Sequence, residues 1–177
     1  MRLSAPFIEI HSDLQETRGI MKIAELLEKE AVSVDIKSKD KGLILAEMVD
    51  LLVDSGNVKK PDTNEVIKKL KEREALGSTG IGKGVAIPHA KCPKCKKMVA
   101  AFGISKEGVD FKSLDGQLTY IFFLLIAPGE TPGPHLKALA RISRLLDDKF
   151  VRDRLRATGN ARDLLKIIKE EEQKKAQ

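Results

Sequence analysis

The sequence predicts an α/β fold: a three-layer α/β/α sandwich with one sheet between two helical layers. Three observations lead there. Amphipathic segments of helical period alternate with short apolar runs along the chain. Residues 119–126 are almost continuously apolar, as a central strand covered on both faces must be. A length of 177 residues with 42% hydrophobic content allows one sizeable core, and neither an internal repeat nor an interdomain linker interrupts it.

Residues 1–20 differ from the rest and read as an N-terminal extension with an exposed His11; a single domain then covers 21–177. Ile23, Leu26 and Leu27 recur at helical spacing and predict a short helix to Glu30. Val32, Val34 and Ile36 alternate with polar residues, the mark of a half-buried strand. Residues 40–54 return to helical period through Leu45, Met48, Val49, Leu52 and Val53, with Gly56 placed to close the helix. Asp62 and Glu65 form a capping pair ahead of a helix over 63–76. Val66, Ile67 and Leu70 mark its inward face; Arg73 falls on the border of that stripe and Glu72 points away.

A strand is predicted over 98–104, followed by turns around Asp110 and Asp115-Gly116 and then the central strand. A proline-rich loop over 128–134 leads into a helix over 135–147, whose first turn carries His135. His135 shares a face with Leu139, Ile142 and Leu146. Asp148 and Asn160 are placed to cap two closing helices, Gly159 to end the first of them, and the tail KEEEQKKAQ to fray.

Charge narrows the function classes. The net charge is +6, but bases and acids interleave, as in KKLKERE and RDRLRATGNARD, without aromatic residues between them. That is a solvated surface, not a nucleic-acid footprint. The longest apolar run, 120–127, is too short to cross a bilayer, and no signal-peptide core precedes it. The expected location is the cytoplasm. Two cysteines, Cys92 and Cys95, make no disulfide framework.

Chemistry concentrates in residues 72–91, EREALGSTGIGKGVAIPHAK. Gly77, Gly80, Gly82 and Gly84 let the backbone approach a ligand, and Pro88 restricts the chain beside His89. The spacing matches neither a P-loop nor a dinucleotide fingerprint. Taken alone, the stretch describes a surface loop ending in a packed histidine as well as it describes an anion site. By the same spacing logic His135 is a core histidine and Arg73 a snorkelling arginine. A helix N-terminus near an anion is the competing reading for His135.

Four segments in order change that balance: REALGSTGIGKGVAIPHAK, SKEGVDFKSLDGQ, an apolar strand ending in AP, and HLKALARISRLLDDKFVRDRL. Together they resemble the type-2 enzyme IIA domain, the fructose–mannitol class, of the bacterial phosphoenolpyruvate-dependent sugar phosphotransferase system (PTS). The likeness covers residues 21–168. It implies a mixed sheet between helices and a phosphoryl group accepted on the histidine of the I-P-H-A segment, His89. It also implies active-site roles for His135, which opens the H-L-x-x-L-A helix, and for Arg73 in R-E-x-L-G-S-T-G.

The implied donor is the histidine phosphocarrier protein. The implied recipient is a sugar-specific IIB protein or, in nitrogen-regulatory relatives, a target whose binding depends on phosphorylation. The single domain and the segment SKEGVDFKSLDGQ favour the regulatory type, with the partner a separate molecule. Neutral imidazole attacks phosphorus without a strong base, so the protein must supply alignment and positive potential. Arg73, the first turn carrying His135 and the loop N–H groups of Ser78, Thr79, Gly80 and Ile81 are the expected phosphate donors. Neither metal nor cofactor is required. The alternative is a metal- or redox-responsive module using Cys92 and Cys95, but a closed zinc site needs four ligands and no second C-x-x-C pair exists. Two loop cysteines without special role are expected.

Overall fold

The computed structural model describes residues 21–129 and 132–175, so the readings for 1–20, including His11, lie outside it. In chain order the elements are α1 (Ile23–Leu26), β1 (Leu27–Ser33), α2 (Lys41–Asp54), α3 (Thr63–Ala75), β2 (Gly80–Gly82) and β3 (Val85–Ala86). They continue with β4 (His89–Lys91), β5 (Val99–Val109), β6 (Thr119–Ala127), α4 (Pro132–Asp147), α5 (Lys149–Arg156) and α6 (Ala161–Lys175).

The sheet runs β1-β5-β6-β3-β2, with β4 also paired to β6. It is mixed: β5 is antiparallel to β6, whereas β3 and β4 are both parallel to it, Val85 opposite Ile121 and His89 opposite Leu125. β6 is thus central, and its period of two divides the core. Phe122, Leu124 and Ile126 pack with α2 and α3 through Met48, Leu52, Val66 and Leu70. Ile121, Phe123 and Leu125 pack with α4, α5 and α6 through Ile142, Val151 and Ile168. The three-layer expectation holds.

Local readings differ at several places. The first helix stops at Leu26, because Leu27 already pairs with Ala100 of β5 and is buried in the second core. The strand comes earlier than expected and shifts register between Leu27 and Val32; Ile36, beyond it, is anchored by its N–H to Ile104 O at 2.8 Å. Asp62 precedes α3 without a side-chain cap, because a 3-10 turn over Lys60–Asp62 has already put its backbone in helical conformation. α4 begins at Pro132, three residues before His135. α5 ends at Arg156, where Thr158 Oγ1 donates to Arg154 O at 2.9 Å, so Gly159 is not what stops it.

The tail differs as well. α6 continues to Lys175 instead of fraying. Glu172 accepts the N–H groups of Ile23 and Ala24 at 2.6 and 2.9 Å, satisfying the free donors of α1. Arg154 holds Glu170 and Glu171 at 3.0 and 2.7 Å. The caps expected at Asp148 and Asn160 are present as hydrogen bonds to N–H groups two or three residues on, and Asp40 caps α2 in the same way.

Candidate active site

His89 opens β4 at the C-terminal end of β6, where Leu125 N donates to Pro88 O at 2.9 Å. The proline and the parallel pairing fix the backbone, so the ring direction follows from the strand. His89 Nδ1 lies 2.8 Å from Ile87 O. A carbonyl only accepts, so Nδ1 carries the proton and Nε2 bears the lone pair. That lone pair accepts a hydrogen bond from Arg73 Nε at 3.2 Å. Arg73 leaves the last turn of α3, and its Nη1 donates to Gly77 O at 3.1 Å, just before the glycine-rich loop.

His135 reaches the same place from α4. Its ring centroid is 5.6 Å from that of His89, with the planes tilted by 53°. It is 5% exposed, and its Nδ1 has no hydrogen-bond partner among the described residues. A buried N–H without a partner is the costlier orphan, so the lone pair belongs on Nδ1 and the proton on Nε2. Arg73, His89 and His135, far apart in sequence, therefore converge.

Burial holds the pKa of His89 below the ordinary imidazole value; the Ile87 carbonyl opposes this, the Arg73 charge adds to it, and the Glu74 charge opposes it. Burial also lowers that of His135, helped by His89 and Lys91. Both rings are neutral at neutral pH, the state in which an imidazole is a nucleophile.

The glycine-rich loop departs from expectation. Thr79 N donates to the Glu74 carboxylate at 3.0 and 3.1 Å, and its hydroxyl donates to the same group. Gly80 N donates to Ser78 Oγ, and Ser78 Oγ to Phe111 O, each at 3.1 Å. Gly82 N and Lys83 N go to Ser113 Oγ and Asp115 Oδ2 at 3.0 and 2.8 Å. The Thr79 and Gly80 donors expected for phosphate thus serve the loop itself, because the loop is pressed onto the 111–115 segment. A Cβ on Gly80 would stand 2.9 Å from the Ser113 Cα. Sequence reasoning passes over Glu74, although it lies four residues after Leu70 and seven after Ile67, on the apolar stripe of α3. Lys41, which meets Glu74 Oε1 at 2.6 Å, gives no sequence signal.

Cys92 and Cys95 lie in a turn, but their side chains are in the core, 0% and 6% exposed. Burial pushes the Cys95 thiol up to about 12, the reverse of a ligating or redox-active thiolate. Among the described residues no group of three or more His, Cys, Asp or Glu side chains is placed to hold a metal ion. Nor is any described helix long and apolar enough to cross a membrane.

The fold and site define a class: a mixed α/β domain presenting one tautomer-fixed imidazole nitrogen beside a guanidinium and a second neutral imidazole. Residues 25–171 match the family described as phosphoenolpyruvate-dependent sugar phosphotransferase system, EIIA 2, and the chain belongs to that family.

Among its relatives is the nitrogen regulatory protein of Bradyrhizobium diazoefficiens, 38% identical over 148 residues, covering 84% of this chain and 95% of that one. The fructose-specific EIIABC component of Bacillus subtilis is 39% identical over 148 residues, again 84% of this chain; the chain spans only 23% of that protein's length. The crystal structure of nitrogen regulatory protein IIA-Ntr from Neisseria meningitidis superposes with a TM-score of 0.76 at 30% identity, covering 82% of this chain and 98% of that one. The Escherichia coli complex of mannitol enzyme IIA with phosphorylated mannitol enzyme IIB superposes at 0.68 with 22% identity, over 81% of this chain and 97% of that one, and shows the shared fold.

Proposed function

We propose that the chain is a phosphoryl carrier that accepts the group on His89 Nε2 from a phosphorylated histidine phosphocarrier protein in the cytoplasm. The observation that carries this is the Nε2 lone pair, left unprotonated by the Nδ1–H bond to Ile87 O and held only by the hydrogen bond from the Arg73 guanidinium. His89 Nε2 forms a bond to phosphorus as the donor's P–N bond breaks, and that electron pair returns to the donor imidazole. No proton leaves the attacking nitrogen. The positive charge that develops on the His89 ring is shared with Ile87 O through Nδ1–H.

Arg73 turns from the ring to the phosphoryl oxygens, supplying charge and a planar fork of donors. His135 Nε2–H donates to another oxygen. In the loop, the N–H groups of Ser78 and Ile81 are the donors left for the phosphoryl group, while Thr79 and Gly80 keep the loop in shape. The reverse step passes the group to a IIB protein or holds it as a signal. Nitrogen regulatory relatives at 38% and 31% identity support the regulatory role, and a fructose-specific relative at 39% supports the transport role.

Incubation with phosphoenolpyruvate, enzyme I and histidine phosphocarrier protein, followed by intact-mass measurement, tests this. One phosphoryl group is expected on the native chain and none on His89→Ala, with a slower gain for His135→Ala. A normal gain for His89→Ala places the acceptor elsewhere. Rapid discharge to a IIB protein supports transport; capture of a non-transport protein in only one phosphorylation state supports regulation.

A further inference from the structure

Glu74 takes no direct part in phosphoryl exchange at His89, yet the residue is only 8% exposed and its carboxylate is engaged by several donors. It accepts both the N–H and the hydroxyl of Thr79, and Lys41 of α2 meets it at 2.6 Å. The Lys41 ammonium also sits 4.7 Å from the centre of the Phe111 ring, and the Phe111 carbonyl accepts from Ser78 Oγ. The contacts close on themselves: α2, α3, the 111–113 segment and both loop residues are tied to one carboxylate.

We infer that Glu74 is a positioning residue: clamped by Lys41, it holds Thr79 and so sets the Gly77 carbonyl that aims the Arg73 guanidinium at His89. The inference rests on the phosphoryl-carrier reading for its kinetic consequence. Its geometry is independent of that reading. Arg73 has two fixed points, His89 Nε2 and Gly77 O. Gly77 has a φ of 151°, and its N–H donates to the Glu74 main-chain carbonyl at 3.2 Å, so Glu74 already holds this residue from the helix side. On the far side of its carbonyl the loop is fixed at Ser78, whose hydroxyl donates to Phe111 O, and at Thr79, gripped by the Glu74 carboxylate, so main chain and side chain of Glu74 hold the peptide from both ends.

Stability alone does not call for a charge at this position. Glu74 continues the apolar stripe of Ile67 and Leu70, where a hydrophobic residue of similar size would pack, and exchanging a buried ion pair for apolar groups is often neutral or favourable. What an apolar residue lacks is the means to grip a backbone N–H and a hydroxyl at once.

The test uses the full chain carrying Glu74→Gln, Lys41→Met, Lys41→Arg or Thr79→Val, with phosphorylated histidine phosphocarrier protein as donor. Glu74→Gln is expected to lower the maximal rate of phosphorylation roughly tenfold to a hundredfold, the cost of a misaimed group near a reacting centre, without changing half-saturation by donor. Lys41→Met follows it in part, and Lys41→Arg restores the rate. In the isotope-labelled protein a nitrogen–nitrogen coupling across the hydrogen bond from Arg73 Nε to His89 Nε2 is expected in the native chain and lost in Glu74→Gln.

Native rate and coupling in folded Glu74→Gln overturn the inference, as does a lost rate with the coupling intact. If Glu74→Gln does not fold, Thr79→Val, which keeps both charges, decides by the same two measurements. Phosphorylation of His89→Ala would remove the carrier reading instead, and the coupling would still decide the role of Glu74.

Discussion

Arg73 Nε donates to His89 Nε2 at 3.2 Å while its Nη1 donates to Gly77 O at 3.1 Å, so one guanidinium covers the nitrogen that is free to react. A cation beside the ring disfavours a second proton on it and stands ready for the phosphoryl oxygens. A lysine would keep the charge but lose the planar fork that spans both acceptors. Arg73→Lys is therefore expected to slow phosphorylation of His89 by on the order of a hundredfold, the cost of losing one aimed donor in a transition state. Rapid-quench transfer from a labelled donor measures it; a rate within a factor of two of native would mean that charge alone suffices.

The pH dependence follows from two lowered imidazole pKa values. In the unfolded chain these rings take up protons near pH 6.5, about the value for free histidine, whereas the folded state resists until lower pH. The stabilisation from keeping them neutral is fully present above ~6.5 and disappears as pH falls through the folded-state values. Thermal midpoints should fall on acidification below that point, and His89→Gln with His135→Gln should flatten the fall. The acid limb of the phosphorylation rate should likewise lie below the free-histidine pKa. Titration of the ring protons by NMR checks both.

Gly103 lies on β5 beneath α2. A Cβ there would stand 2.6 Å from Met48 Sδ and 2.7 Å from Ile36 Cγ1. Met48 and Ile36 are both fully enclosed, so neither can swing clear. Gly103→Ala should cost about 1–3 kcal/mol by overpacking. Urea unfolding reads the loss, and the phosphorylation rate of the folded variant should be unaffected.

The C-terminal helix is a structural clasp. Glu172 holds the N–H groups of Ile23 and Ala24, the start of the domain, from the far end of the chain. Glu172→Ala should destabilise by about 1–2 kcal/mol, the range for losing a helix cap. Deleting residues 170–177 should cost more, since Arg154 loses Glu170 and Glu171 as well. Equal midpoints for native and truncated chains would show the tail to be dispensable.

What was legible in the sequence lay in periodicity and in compact motifs. The central strand, the caps at Asp148 and Asn160 and the inward turn of His135 all follow from spacing, because a side chain's face is set by its place in a helix or strand. Glu74 was legible in principle from the same stripe, but its charge suggested solvent. The misplaced boundaries share one cause. Leu27 joined the sheet because Ala100 offered a partner, and Glu172 stayed helical because Ile23 and Ala24 offered N–H groups. Both are contacts between distant parts of the chain, and local pattern carries no trace of them.

The amino-acid order alone determined the kind of domain, the membership of its family and the three side chains worth watching, since these rest on residue identity and regular spacing. Only the folded chain decided which nitrogen of His89 is free, that Thr79 and Gly80 spend their donors on the loop, and that both cysteines are interior. Those outcomes depend on what stands within hydrogen-bonding or packing distance in three dimensions. Direction and solvent access are properties of that neighbourhood and not of the residue.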